Sequence, residues 1–522
     1  MSASREKKQR QGKTAPAAAA SAGKGKTIGY AVLAAVIVIA VVALLVWNSG
    51  LFQGRTTAVT VNGRNYSPAQ VEFYYYNARY QESLNSMYAS MYGGTASYDS
   101  SVDPREQTYS TDSETGEVTT YHDYFLSSAK ESLVELTALL DAADAEGFKL
   151  TAEGEEAVKE ALDSMDNAWA AAGYSSRTTY LRAVYGPYMT YGRYKQCVRD
   201  AQLASDFYTA KSESLTYDDA ALTAYYTEHK DDLDTIGYAY LFFNGEAEST
   251  TDEEGNTVEP TEEQKKSAMD AAKSKADAAL ASWQAGTAFE DVVAAQEPTN
   301  STESSTALGK NLSATYNKWL LDSGRTAGDT TVMESSNGYY VVRFLSRERV
   351  ETPTVNVRHI LVKAETPVDD PATTDVDESQ NAPSDEQMQA AHDEAQRIFE
   401  EWQNGTATEE SFAALAEQYS DDPGSNENGG LYTERPQNYF VQSFNDWCFA
   451  EGRTAGDTGL VENTTSGQYG WHVMYFSDHA NPVWKNTSRD ALKNEDLQEW
   501  LDGLKEGLEA VDADGLKYVA TL

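Results

Sequence analysis

Apolar and polar positions change their rhythm several times along the chain, and each rhythm predicts a different element. Ile28 to Trp47, "IGYAVLAAVIVIAVVALLVW", carries no charged side chain. At about 1.5 Å per residue a helix of this length reaches roughly 30 Å, the depth of a bilayer's hydrocarbon core, so it predicts a single transmembrane helix. Next, Val59 and Val61 alternate as in a short strand and Asn62-Gly63 marks a turn. Ser67-Pro68-Ala69-Gln70 then has the form of a capped helix start. Residues 93–120 are polar, without period, and predict a loose insertion. From Tyr124 to about Thr235 the rhythm is helical: Leu126, Ala129, Leu133, Leu136 and Leu140 recur at spacings of three and four. Thr151 suits a helix cap, with Glu153, Glu155 and Glu156 in the turn that follows. Asn481–Leu522 holds another helical stretch, around Leu492–Leu508, able to pack back on this region.

The segment between these helical parts repeats itself. "GRTAGDT" occurs at Gly324–Thr330 and again at Gly452–Thr458. Upstream, Ser282–Gln296 parallels Glu401–Gln418, and Tyr238–Phe243 parallels Val357–Val362. Downstream, Gly338–Phe344 parallels Gly470–Phe476. Two tandem copies therefore span 236–348 and 354–480, a size normal for one domain each. Each reads as strand, acidic insert, helix, loop, short helix, strand, which is an α+β unit. The insert of the second copy, Glu365–Glu386, is rich in Asp, Pro and Ser and predicts a solvated loop.

Charge changes this picture in two ways. The net charge of −41 over 522 residues argues against nucleic acid as a partner, because phosphate contacts need Lys and Arg. Residues 1–27, by contrast, carry Arg5, Lys7, Lys8, Arg10, Lys13, Lys24 and Lys26 against Glu6 alone. The positive-inside rule then places this tail in the cytoplasm and the bulk of the chain on the outer side of the cell membrane, with Trp47 at the interface. A cleaved signal peptide is the competing reading, but its apolar region is usually shorter, and no small-x-small site follows Trp47. Cys197 and Cys448 are the only cysteines, too few for a disulfide framework; each suits a small buried hydrophobe, and a single bridge between them stays open. Tyr174, Tyr180, Tyr185, Tyr188, Tyr191, Tyr194, Phe207 and Tyr208 either build the core of the helical region or line a groove for unfolded polypeptide.

Candidate chemistry comes from setting the copies in register. His359 falls opposite Tyr240, and His472 opposite Tyr340. "YSDDPGSNENGG", Tyr419–Gly430, falls opposite "EPTNSTESS", Glu297–Ser305, which lacks the aspartate pair and the glycines. The second copy thus has two histidines that can meet in the middle of one sheet beside a carboxylate loop.

The run "RHILV", "YSDDPGS", the Gly pair, the phenylalanines of 440–449 and "GWH" resembles the parvulin-type peptidyl-prolyl isomerases. The order of anchor, "VTVNG" helical region and repeated modules resembles the extracytoplasmic foldases of the PrsA and SurA kind. The resemblance implies a basic tail at 1–27, a transmembrane helix at 28–47 and a helical chaperone-like domain at 56–235, joined by 485–522. It further implies a degenerate module at 236–348, an isomerase module at 354–480 and a C-terminal helical tail from 481. It implies His359, Asp422 and His472 as catalytic residues, and Leu431, Phe440, Phe444 and Tyr469 as substrate contacts. Phe440 and Phe444, four apart, are expected on one side of a helix. The implied partners are unfolded or newly exported chains with X–Pro bonds, with no cofactor.

The sequence departs from the family in two places. "GGLYTE" stands where the family usually reads "GGDLG", and Gln468-Tyr469 stands where it has a hydroxyl residue before "GWH". The acidic loop after the first strand excludes phosphoserine-directed recognition, since like charges would meet. Residues 421–428 lack the spacing of a calcium loop, so no metal is expected. Two bland readings stand beside the sharp one: the histidines serve stability more than turnover, or the whole chain is a holdase with the modules as scaffold.

Overall fold

The computed structural model describes residues 52–91, 94, 96–251, 257–365 and 382–520. The predicted span at 28–47 and most of the insert at 365–386 lie outside them. Among the described residues no helix is long and apolar enough to cross a membrane. The chain divides into two units, one ending at Leu215 and resuming at Asp496, the other running from Thr216 to Glu495.

The first unit begins with strands β1 (Val59–Val61) and β2 (Arg64–Tyr66), then helix α1 (Pro68–Met91). Strands β3 (Thr108–Thr111) and β4 (Val118–Thr120) form a hairpin, so the expected loose insertion is partly ordered. Tyr98, within it, is buried in the core, and its hydroxyl accepts from Arg79 Nε at 2.7 Å. Helices α2 (Tyr121–Glu146), α3 (Ala152–Ala171), α4 (Arg177–Tyr185) and α5 (Tyr191–Ser214) follow. Thr120 and Asp123 cap α2 reciprocally, and Thr151 caps α3 by accepting from Gly154 N. Phe125, Ala129, Leu133, Leu136 and Leu140 put the buried face of α2 against β1 and α1. A strand at Val511–Asp512 pairs antiparallel with β1, Val59 opposite Asp512. Among the questioned tyrosines, Tyr185 and Tyr194 pack on Phe73 in the core, whereas Tyr174 and Tyr208 reach the surface. Cys197 and Cys448 are both free and buried.

The second unit takes residues 216–235, expected above in the helical domain. The reason is local. Helix α6 (Asp219–Glu228) carries Tyr226, whose ring meets Trp484 at 5.5 Å and whose hydroxyl bonds Asp234. The short helix α7 (Lys230–Leu233) then leads into the first module. Its strands are β5 (Thr235–Asn244), the small pair β6 (Thr250–Thr251) and β7 (Thr257–Val258), β8 (Asn300–Leu308), β9 (Thr330–Ser335) and β10 (Gly338–Glu348). Its helices are α8 (Glu262–Gln284), α9 (Phe289–Gln296) and α10 (Asn317–Leu320). The second module has β11 (Pro353–Lys363), α11 (Asp385–Asn404), α12 (Glu409–Tyr419), β12 (Leu431–Arg435), α13 (Gln442–Cys448), β13 (Thr458–Asn463) and β14 (Gly470–Pro482). Helix α14 (Val483–Lys505) follows.

The two modules have the same antiparallel sheet order, β8-β5-β10-β9 and β12-β11-β14-β13. Their main helices bury the same pattern: Ala272, Ala276, Ala279 and Trp283 on α8, and Ala391, Ala395, Ile398 and Trp402 on α11. Tyr240 pairs with Val342 as His359 pairs with Met474, and Phe242 with Tyr340 as Leu361 with His472. The register drawn from sequence is thus the register of the sheets. In the second module α11 and α12 cover one sheet face, and α13 packs on the other.

Candidate active site

The site lies on the face of the second sheet that α13 covers. Successive strand residues point to opposite faces, so Val357, His359 and Leu361 share one side of β11. His472 on β14 pairs with Leu361, which places it diagonally beside His359. The two Nδ1 atoms are 3.0 Å apart, and both rings are buried.

The loop after α12 is stitched to β11. Asp421 N donates to Leu361 O at 2.8 Å, Leu361 N to Ser420 Oγ at 3.1 Å, and Lys363 N to Asp421 Oδ2 at 3.0 Å. Asp421 is therefore a loop anchor, and its neighbour Asp422 turns toward the histidines. His359 Nε2 lies 2.8 Å from Asp422 Oδ2 and 3.1 Å from Ser425 Oγ. Ser425 Oγ and the Tyr432 hydroxyl donate to the same Oδ2, at 2.6 and 2.9 Å. Gly424 N donates to Oδ1 at 3.1 Å. The loop closes through Gly429 and Gly430, at φ of 70° and 72°. A Cβ on Gly430 would come within 2.1 Å of His359 O, so glycine is required there.

These bonds set the charges. The hydrogen bond from His359 holds the Asp422 carboxyl well below the usual range, with Ser425 and Gly424 adding to it against burial. Burial pushes His472 down to about 3, and His359 nearby lowers it further. Burial raises Tyr432 to about 12, helped by Asp422. With Asp422 ionised, His359 donates from Nε2. When His359 is neutral its Nδ1 accepts from His472 Nδ1–H, and His472 Nε2 is left as a bare lone pair. That atom has no hydrogen-bond partner among the described residues, and a lone pair there is less costly than a buried orphan N–H.

Above this chain of polar groups is a cavity of about 470 Å³. Its apolar wall is Phe440, Phe444, Tyr432, Tyr439, Val441 and Leu361. Phe444 lies 5.2 Å from each histidine ring, and Phe440 stacks on it at 4.1 Å. The cavity thus joins a notch for a small apolar ring to a fixed carboxylate.

Of the residues expected in the site, His359, Asp422, His472, Phe440 and Phe444 come together. Phe440 does so from outside the helix, which starts only at Gln442; stacking rather than a shared helix face joins it to Phe444. Leu431 and Tyr469 do not line the cavity. Leu431 pairs with Arg358 and so points away, while Tyr432, paired with Val357, takes its place. Tyr469 packs with Trp471 on the opposite face, in the cluster under α11, and Gln468 lines the cavity instead. Ser425 and Tyr432 were missed. Asp422 forms the usual Asp side-chain turn with Gly424 N two residues on, and that turn brings the next residue, Ser425, back to the carboxylate. Tyr432 corresponds to the leucine of the family's "GGDLG".

The first module has nothing comparable at its centre. Tyr240 and Tyr340 meet at 5.8 Å, Tyr316 adds a third ring 5.5 Å from Tyr340, and Phe242 a fourth. Most of the stretch opposite the carboxylate loop is strand β8, paired with β5.

Residues 339–480 match the family model for the PPIC-type PPIASE domain. This segment therefore holds a parvulin-type peptidyl-prolyl isomerase domain. The chain is similar to a chaperone SurA of Pseudomonas putida, 28% identical over 183 residues, which are 33% of this chain and 36% of that protein. It is also similar to the foldase protein PrsA 4 of Bacillus cereus, 33% identical over 84 residues, 16% of this chain and 27% of that protein. The chain thus spans only about a third of the length of the curated relatives it matches. The crystal structure of PrsA from Bacillus subtilis covers 78% of this chain and 93% of its own at 11% identity, with a TM-score of 0.26, too low to bear on the fold.

Proposed function

We propose that the protein is a peptidyl-prolyl cis–trans isomerase and chaperone for exported polypeptides, working on the outer side of the cytoplasmic membrane. The observation that carries the reading is Asp422, fixed by His359 at the edge of the Phe440–Phe444 notch.

Rotation about an X–Pro amide crosses a barrier of about 18–20 kcal/mol, set by the partial double bond. No covalent step is needed to lower it. The proline ring enters the notch of Phe440, Phe444 and Tyr432, which strips water from the amide. Planar amides carry more negative charge on oxygen than twisted ones. A fixed carboxylate facing that oxygen raises the planar form relative to the twisted one. His359 and His472 hold the carboxylate ionised and oriented. A thousandfold acceleration needs only about 4 kcal/mol from these effects together.

The chaperone part draws on the first unit and on the relatives' names. Tyr80, Met87, Tyr88 and Met91 lie along one side of α1 and are exposed, Met91 to 70%. The membrane location rests on the basic residues of 1–27 and the apolar run at 28–47. The test is refolding of a proline-limited substrate by the chain from residue 52 onward. Acceleration that falls about hundredfold in Asp422→Ala supports the isomerase. Suppressed aggregation with no acceleration in either form would leave only the holdase.

A further inference from the structure

Tyr432 occupies a position where an isomerase notch needs only an apolar wall, yet it brings a hydroxyl. Its ring serves the wall: it lies 5.3 Å from Phe440 and 5.5 Å from His359. Its hydroxyl does something a leucine cannot. It donates to Asp422 Oδ2 at 2.9 Å, the oxygen already bonded by His359 Nε2 and Ser425 Oγ. Three donors on one carboxylate oxygen saturate it, so Oδ1 is the oxygen with capacity left, its one partner among the described residues being Gly424 N.

The neighbouring backbone is shaped to admit this hydroxyl. A Cβ on Gly424 would stand 2.9 Å from Tyr432 Oη and 3.3 Å from Asp422 Oδ1. A side chain there would press on both the phenol and the carboxylate. The strand face is equally specific, because Tyr432 reaches the cavity by its pairing with Val357, while Leu431 beside it turns to Arg358.

We infer that Tyr432 is a positioning residue of the isomerase site, whose hydroxyl locks the Asp422 carboxylate in one orientation with Oδ1 toward the substrate. The inference rests on the isomerase reading and adds a residue to it. The lock acts on the carboxylate's charge and direction, while the ring alone shapes the notch. Removing the hydroxyl and removing the ring therefore separate the two roles.

Tyr432→Phe keeps the wall and deletes the bond. It should lower kcat on a proline peptide about tenfold, the value of one hydrogen bond to a charged group, with KM changed less than twofold. The acidic limb of its pH–rate profile should move to higher pH by about half a unit or more, because a carboxylate losing a donor is protonated sooner. Tyr432→Leu should add a rise in KM. Gly424→Ala, which crowds the hydroxyl and leaves the ring, should reproduce the kcat loss and the pH shift. Circular dichroism and melting of each variant separate misfolding from these effects. If the parent chain turns over proline peptide while a folded Tyr432→Phe matches it in kcat and pH profile, the lock is wrong and the isomerase reading stands. If the parent chain has no turnover, the reading beneath it fails first.

Discussion

The two modules of the second unit share a sheet order, a helix with the same buried spacing and a matching strand register, yet only one holds a polar site. The difference is not confined to Tyr240 and Tyr340 standing for His359 and His472. In the first module residues 297–299 lead straight from α9 into β8. In the second, residues 420–430 intervene between α12 and β12, and this added length carries Asp422 and Ser425 under the histidine pair. A site of this kind is made by a loop length as much as by side-chain identity. Where the loop is missing, aromatic rings fill the centre.

Phe444 is 1% exposed and touches both histidines, a contact the first module lacks. Phe444→Ala should cost about 3–5 kcal/mol, seen in urea unfolding as early loss of the second module, with the first retained. A single transition shifted as one would mean the two modules are not separable. A smaller effect concerns pH. His472 in the folded module titrates near 3, whereas an unfolded histidine titrates near 6.5. Below about pH 6.5 the unfolded chain binds a proton that the native one refuses, so stability falls as pH falls toward 3. The slope approaches about 1.4 kcal/mol per pH unit. His472→Leu should flatten it between pH 6 and 4.5, and an unchanged slope would place the titration elsewhere. Tyr240→His combined with Tyr340→His should give no gain in proline turnover when Asp422→Ala has silenced the second module. Measurable turnover would show that the loop is dispensable.

The repeat made much of this readable beforehand. Two copies constrain each other, so pairing Tyr240 with His359 and Tyr340 with His472 fixed which strand residues face which. The buried alanine and tryptophan spacing on α8 and α11 follows the same 3.6-residue logic. What stayed hidden is the direction of single residues beside an irregularity. The β11–β12 register shifts between Val355 and Val357, and two left-handed glycines precede β12. One step of slip exchanges Leu431 for Tyr432 at the cavity. Tyr469 differs for a simpler reason: regular alternation into β14 turns it with Trp471 rather than His472. The hairpin in 93–120 is hidden differently: its short strands are mostly exposed and rich in Thr and Ser, so no apolar period announces them.

The antiparallel pairing of Val59 with Asp512 has a consequence for the order of assembly. Loop closure across nearly the entire chain must precede it, and such contacts form late. As the polypeptide emerges from its N-terminal side, Ala58 and Val59, fully buried at the end, wait without this strand partner. Meanwhile the segment 216–495 can complete its own sheets. The first unit would therefore be the last part of the molecule to finish, with its apolar edge uncovered through that interval.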